Sequence, residues 1–217
     1  MTSEISSGDI LLDKKNKPVI TPSMYVAVFL LIGFVVFFYF WAFVPIIGES
    51  MEPNIHDGRY CMVQRKAFSV DCGDIVTVNV SQTSQEHTII KRIVATGGDK
   101  LIFMISKDLY YVDLYVCRQG ENTFSLFSEP YIKERMRSNS GTYNYPDSDF
   151  TTPLLPYNKS IETEQADDIF DRFREYVISI PENHIFVLGD NRNISSDSRR
   201  YGPISDERIT AKVLYIL

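Results

Sequence analysis

The chain has 217 residues, enough for an N-terminal anchor plus one domain of roughly 150 to 170 residues with a buried core, and too few for a multidomain machine. Its 22 Lys and Arg stand against 28 Asp and Glu, a net charge of −6 that argues against a polyanion, so nucleic acid is not expected as a partner. The three cysteines permit one disulfide at most, and the three histidines are scattered without metal-ligand spacing, so no metal is expected.

Residues 1–22 read as a cytoplasmic tail carrying Lys14, Lys15 and Lys17. No charge occurs from Pro18 to Gly48, and Met24 to Val44 is almost wholly apolar, matching the ~20 residues needed to cross a bilayer. Residues 23–45 are therefore expected to form a transmembrane helix. The apolar run is too long for a cleavable signal peptide, and VPIIGES offers no good small-x-small site. The lysines before the span, against a first basic residue after it at Arg59, place the N-terminus inside and residues 46–217 outside the cytoplasmic membrane. Tyr39 and Trp41 suit the outer aromatic belt.

Beyond the span the apolar period is two. Tyr60–Arg65, Asp74–Val80, His87–Val94, Lys100–Ile105, Leu109–Cys117, Tyr176–Ile180, His184–Leu188 and Ile209–Leu217 read as strands, separated by turns such as Gly97-Gly98-Asp99 and Pro181-Glu182-Asn183. The domain is expected to be mainly β. Residues 119–160 are rich in Ser, Asn, Tyr and Pro and lose this period, as an excursion or a small loop-rich subdomain would. Ile161–Tyr176 is the one expected helix of the domain, with Ser160 as its N-cap. Cys61, Cys72 and Cys117 are expected to be buried free thiols.

Three segments carry reactive side chains. Ser50 follows the span in Gly48-Glu49-Ser50-Met51-Glu52-Pro53, although a lone loop serine is ordinarily a turn residue. Lys91 interrupts the apolar strand around Ile89 and Ile93, and strand alternation puts it on their face. Burial there depresses a lysine pKa and can leave a neutral amine able to take a proton from a serine hydroxyl; the plainer alternative is a lysine reaching solvent from the sheet edge. The third segment, Leu188 to Arg199, is a dense polar run in which Asp197 with Arg199 and Asp190 with Arg192 are spaced to pair. A hydroxyl of Ser195 or Ser198 could hold the lysine amine, though a solvated hairpin loop is the commoner fate of such composition.

Together these segments resemble the bacterial type I signal peptidases. The motifs are Ser50–Pro53, Gly73–Val76, Lys91–Asp99 and Gly189–Pro203, in order behind an anchor. The resemblance covers the chain apart from about residues 103–175, expected to be a variable inserted subdomain, loop-rich or α/β, within an all-β catalytic domain of antiparallel sheets. It implies a Ser-Lys serine endopeptidase that removes signal peptides from secretory preproteins at the lipid bilayer, without cofactor or metal. Ser50 would be the nucleophile, Lys91 the general base, Ser195 the group orienting the amine, and Asp197 with Arg199 a supporting ion pair. Met51 would pack under the nucleophile. The Ser50 N–H would donate to an oxyanion, a contribution of about 2.7–4 kcal/mol per donor, while Gly48 stands where some members add a serine hydroxyl. Ile46, Ile47, Ile55, Ile89 and Ile90 are expected to wall the substrate site, with core packing as the competing reading for each.

Three other functions compete with this one. A specialised relative maturing one pilin or conjugation protein fits the same motifs. An inactive tethered β-domain that binds exported proteins explains the anchor but not the matching Ser50, Lys91 and Ser195. Self-cleaving LexA-type repressors conflict with the span.

Overall fold

The computed structural model describes residues 22–82, 85–139 and 150–217. Lys14, Lys15 and Lys17, on which the expected orientation rests, lie outside the described residues, as does the 140–149 portion of the polar excursion. The chain divides into Met1–Phe38 and Tyr39–Leu217. In the first unit the described residues belong to α1 (Pro22–Phe40), which is uncharged, apolar on every face and has no buried residue. A helix apolar all round needs either a protein core or a membrane to cover it.

The apolar run is not helical to its end. Trp41–Pro45 forms strand β1, paired antiparallel with β2 (Tyr60–Gln64) in the register Trp41↔Gln64 to Pro45↔Tyr60. Hydropathy reads α1 and β1 as one segment because short apolar stretches look alike in either conformation. Pairing with β2 satisfies the backbone groups on one side of β1, the edge strand of its sheet.

The domain is mainly β, as expected. The remaining strands are β3 (Ile75–Gln82), β4 (Gln85–Thr96), β5 (Lys100–Ile105), β6 (Tyr111–Cys117), β7 (Ser125–Leu126), β8 (Met136–Arg137), β9 (Leu154–Leu155), β10 (Val177–Ser179), β11 (His184–Leu188), β12 (Ile204–Ser205) and β13 (Ile209–Ile216). One sheet has the order β1-β2-β13-β3-β4-β11-β12; the other runs β10-β5-β6-β7, with β8 on β6 and β9 on β5. Among the described pairs, only β5 with β9 is parallel.

The residues expected to form an insert build most of this second sheet, and it shares a core with the first. Val94 and Ala95 of β4 and Phe186 and Leu188 of β11 pack with Leu101, Phe103, Val112, Leu114, Val116 and Ile178 of the second sheet. The Phe103 and Phe186 rings lie 6.0 Å apart. A second apolar cluster, of Met51, Ile55, Ile46, Cys61, Val63 and Ala211, lies under the turn that follows β1.

The expected Ile161–Tyr176 helix is broken in three. A 3₁₀ turn at Lys159–Glu162 precedes α2 (Ala166–Phe173), and another at Arg174–Tyr176 follows it. Ser160 is not the N-cap: the Asn158 side chain accepts from the Ser160 N–H, while Gln165 starts α2 without a side-chain cap. Tertiary contacts explain the break, because Ala166 N–H donates to the Asn122 carbonyl at 2.7 Å and Gln165 bridges Thr123. Cys61 and Cys117 are buried free thiols, but Cys72 is an exposed one, in contact with Arg118.

Candidate active site

The turn after β1 positions Ser50. Ile46 N–H donates to the Arg59 carbonyl and Gly58 N–H to the Ile46 carbonyl, closing a loop whose short 51–55 turn is held by Asn54 and Ile55 N–H groups on the Met51 carbonyl. Met51 and Ile55 are fully buried beneath the turn, so the loop is fastened to the core immediately after Ser50. Gly48 has φ +95°, a left-handed conformation that an L side chain would strain. Its N–H donates to Asp57 Oδ1 at 2.7 Å. Gly48 therefore offers an oxyanion neither a hydroxyl nor a free N–H. The Ser50 N–H donates to no group among the described residues.

Lys91 lies mid-strand in β4, opposite Val76 of β3, and is 3% exposed. Strand alternation thus does place it inward. Its Nζ lies 2.7 Å from Ser50 Oγ and 2.8 Å from the Ile90 carbonyl oxygen. Burial lowers its pKa to about 8 from the ordinary 10.5, with Asp197 and Asp190 pulling it up and Arg199 pushing it down. Desolvation outweighs the two carboxylates because neither is hydrogen-bonded to the amine.

The polar loop after β11 supplies the surroundings. Arg199 grips Asp197 through Nε to Oδ1 and Nη2 to Oδ2, both at 2.8 Å, with both side chains wholly buried. Burial pushes the Asp197 carboxyl up, but the Arg199 charge and hydrogen bond, the Gly189 N–H and the nearby Ser195 hydroxyl outweigh it and hold the pKa below the ordinary value. The pair also shapes the loop: Asp197 caps the short α3 (Ser198–Tyr201) and accepts from Gly189 N–H at 3.0 Å. Asn191 N–H donates to the Ser50 carbonyl at 3.0 Å, tying the loop to the Ser50 turn.

Other expected arrangements differ. Asp190 pairs not with Arg192 but with Arg92 of β4, through Nε to Oδ1 at 2.8 Å and Nη2 to Oδ2 at 2.6 Å, while Arg192 pairs with Glu129. Two residues of sequence separation suggested the first pairing, whereas β4 and β11 are neighbours, with Leu188 opposite Arg92. Ser198 serves the backbone, its hydroxyl accepting from Val187 N–H at 3.0 Å. Ser195 is buried beside Asp197, but among the described residues its Oγ makes no hydrogen bond of good geometry; the second partner of Lys91 is the Ile90 carbonyl. Of the five isoleucines, Ile46 and Ile55 lie in the core, and Ile55 has no surface to offer a substrate. Ile89 and Ile90 are partly buried, and Ile47 is 87% exposed. Asn54 and Asp57, on the Ser50 loop, and Glu129 and Tyr131, brought there by tertiary packing, also touch the site and carry no functional signal in the sequence. Among the described residues no group of three or more His, Cys, Asp or Glu could hold a metal ion.

This geometry can be set beside known proteins. Residues 20–217 match the family model described as signal peptidase, peptidase S26. Signal peptidase IB of Staphylococcus aureus (strain COL) is 27% identical over 188 residues, covering 85% of this chain and 83% of the relative. Signal peptidase I of Streptococcus pneumoniae serotype 4 is 28% identical over 181 residues, covering 82% and 83%. A crystal structure of a signal peptidase I from Enterococcus faecalis V583 matches with a TM-score of 0.39 at 18% identity, over 69% of this chain and 100% of that one. With the family model matching from within the N-terminal apolar segment to the last residue, the chain belongs to the signal peptidase family, peptidase S26.

Proposed function

We propose that this signal-peptide-removing serine peptidase is anchored in the membrane by α1 and cuts with Ser50 as nucleophile and neutral Lys91 as general base. The observation that carries the reading is the 2.7 Å contact between Ser50 Oγ and a lysine amine buried deeply enough to lose its proton near pH 8. A neutral amine keeps one lone pair. It can accept the Ser50 proton while still donating to the Ile90 carbonyl.

In the reaction, Ser50 Oγ attacks the carbonyl carbon of the scissile bond and its proton passes to Lys91 Nζ. The oxyanion that forms is stabilised by the Ser50 N–H, which donates to no other group among the described residues. Lys91 then returns the proton to the departing amine, leaving an acyl-enzyme. A water that gives its proton to Lys91 attacks the ester, and collapse of the second tetrahedral intermediate returns the proton to Ser50. Asp197 with Arg199 holds the loop against the Ser50 turn, and Ser195, whose buried Oγ makes no hydrogen bond of good geometry among the described residues, stands ready to orient the ammonium formed in mid-reaction.

The substrate would add as an extended strand. β11 pairs with β4 only from Arg92 onward, so the edge of β4 from His87 to Ile90 is unpaired among the described strands and ends at the base. Ile89 and Ile90 flank that edge. The proposed orientation, N-terminus inside and catalytic domain outside, makes the encounter with a membrane-embedded signal sequence effectively intramolecular.

The test is cleavage of a secretory preprotein by the full-length chain in detergent. Processing at the signal-sequence boundary that is lost in Ser50→Ala supports the reading. An uncut preprotein under conditions where another signal peptidase works, or undiminished cutting by Ser50→Ala, contradicts it.

A further inference from the structure

The sequence leaves the polar excursion without a task, yet one piece of it, Glu129–Arg137, touches all three segments of the active site. Glu129 binds the Arg192 guanidinium with both carboxylate oxygens, and the two side chains are 8% and 0% exposed. The Tyr131 hydroxyl donates to Glu129 Oε1 at 3.1 Å and accepts from Arg192 Nη2 at 3.3 Å. The Tyr131 ring lies against two guanidiniums, with Arg92 Cζ at 4.3 Å and Arg192 Cζ at 5.9 Å from its centroid. Asn54, four residues after the nucleophile, donates to the Tyr131 carbonyl at 2.7 Å and to Asp190 Oδ2 at 2.9 Å. Further along, Arg137 N–H donates to Asn193 Oδ1 at 2.9 Å and the Asn193 amide reaches the Arg135 carbonyl at 3.2 Å.

We infer that Glu129–Arg137 is a strap that sets the position of the polar loop against Ser50 and Lys91, with Glu129 and Tyr131 as its positioning residues. The loop has little tolerance for displacement. Arg192 Nε donates to the Gly189 carbonyl at 2.9 Å, and Gly189 packs so tightly that a Cβ there would lie 2.2 Å from Ser195 Oγ and 2.5 Å from the Ser50 carbonyl oxygen. A guanidinium buried without its carboxylate must find water or another anion. Moving Arg192 to do so pulls Gly189, and with it the contacts to Ser50, Ser195 and the Asp197–Arg199 pair. The charged groups facing Lys91, namely Asp197, Arg199 and Asp190, all ride on this loop, and Asp190 is tied through Arg92 to the Tyr131 ring.

The inference rests on the Ser50–Lys91 reading and goes beyond it by giving the excursion a role in catalysis. It is tested in the full-length protein with Glu129→Gln, which keeps the shape and removes the charge. The assay is preprotein cleavage over a pH series, with kcat and KM separated. The strap predicts at least a tenfold fall in kcat, KM within about twofold, and an acid limb moved to higher pH as water reaches Lys91. Glu129→Asp, which keeps the charge, recovers part of the loss. Unchanged kcat and an unmoved limb, with only a lower melting temperature, overturn it and leave the segment a structural clamp. Should Glu129→Gln fail to fold, Tyr131→Leu removes the ring from the two guanidiniums while leaving both ion pairs. It carries the same readouts, with about a threefold fall expected and no change overturning the inference. Wild type and Lys91→Ala are run alongside: cutting that does not depend on Lys91 defeats the dyad itself, whereas Lys91-dependent cutting insensitive to the strap variants defeats only the strap.

Discussion

Replacing Lys91 with methionine should abolish cleavage and stabilise the fold. Burial holds the Lys91 pKa at about 8, against 10.5 in an exposed lysine. At about 1.4 kcal/mol per pH unit, that gap means the folded state opposes the ammonium by about 3 kcal/mol. Methionine has nearly the same length and no charge to desolvate. It forfeits the hydrogen bonds to the Ile90 carbonyl and the Ser50 hydroxyl, about 1 kcal/mol each, so the net gain at pH 7 is about 1 kcal/mol. For a domain of this size that is a rise of about 2–4 °C in melting temperature.

Between the folded and unfolded pKa values of Lys91 the unfolded chain binds more protons, so wild-type stability rises with pH across about 8 to 10.5 while the methionine variant lacks that contribution. The variant's advantage is full below pH 8 and should shrink by about 1 kcal/mol by pH 9. Urea unfolding of both proteins in detergent at pH 7 and pH 9 measures it. A variant no more stable than wild type at pH 7, or an advantage that does not shrink at pH 9, would refute the claim that Lys91 is held against its charge.

The same pKa predicts that kcat/KM for a preprotein climbs about tenfold per pH unit below pH 8 and levels off above it, and a pH–rate profile checks this. Asp197→Ala strands the buried Arg199 and should cost about 3–5 kcal/mol, read as a lower urea midpoint, with activity lost alongside. Gly189→Ala should be among the most damaging single-methyl additions. Its Cβ would fall 2.2 Å from Ser195 Oγ, so a loss of about 3 kcal/mol or more and an inactive enzyme are expected, measured by thermal unfolding and preprotein cleavage.

What the sequence revealed and what it hid follow from how far each signal reaches along the chain. Strands β2 to β6, β10, β11 and β13 were legible because alternation is local, and alternation offered the inward placement of Lys91 beside the solvent-reaching alternative, whereas the two-residue β7, β8, β9 and β12 are too short to show a period. The Asp197–Arg199 pair was legible because its partners lie two residues apart, whereas Ser50 stood out only as one of several motifs in order, since its contact with Lys91 spans 41 residues. The pairing of Asp190 was not: its partner Arg92 lies 98 residues away on a neighbouring strand, and nearness in sequence favoured Arg192. β1 was hidden in the apolar run of α1, since a five-residue apolar strand carries no period that sets it apart from a helix. The breaks around α2 were hidden too, because Asn122 and Thr123 act on that segment only once the sheet has formed. Ile55 shows the converse difficulty, since an apolar residue beside a nucleophile reads equally as pocket wall or core, and packing alone decides.

The central claim is that Lys91 activates Ser50. The most direct test is single-turnover cleavage of a preprotein by purified Lys91→Ala, folded as judged by its circular dichroism, beside wild type at pH 8. The 2.7 Å contact between Nζ and Oγ predicts that cleavage by the variant falls to the level of Ser50→Ala. Robust cleavage by Lys91→Ala would contradict the account.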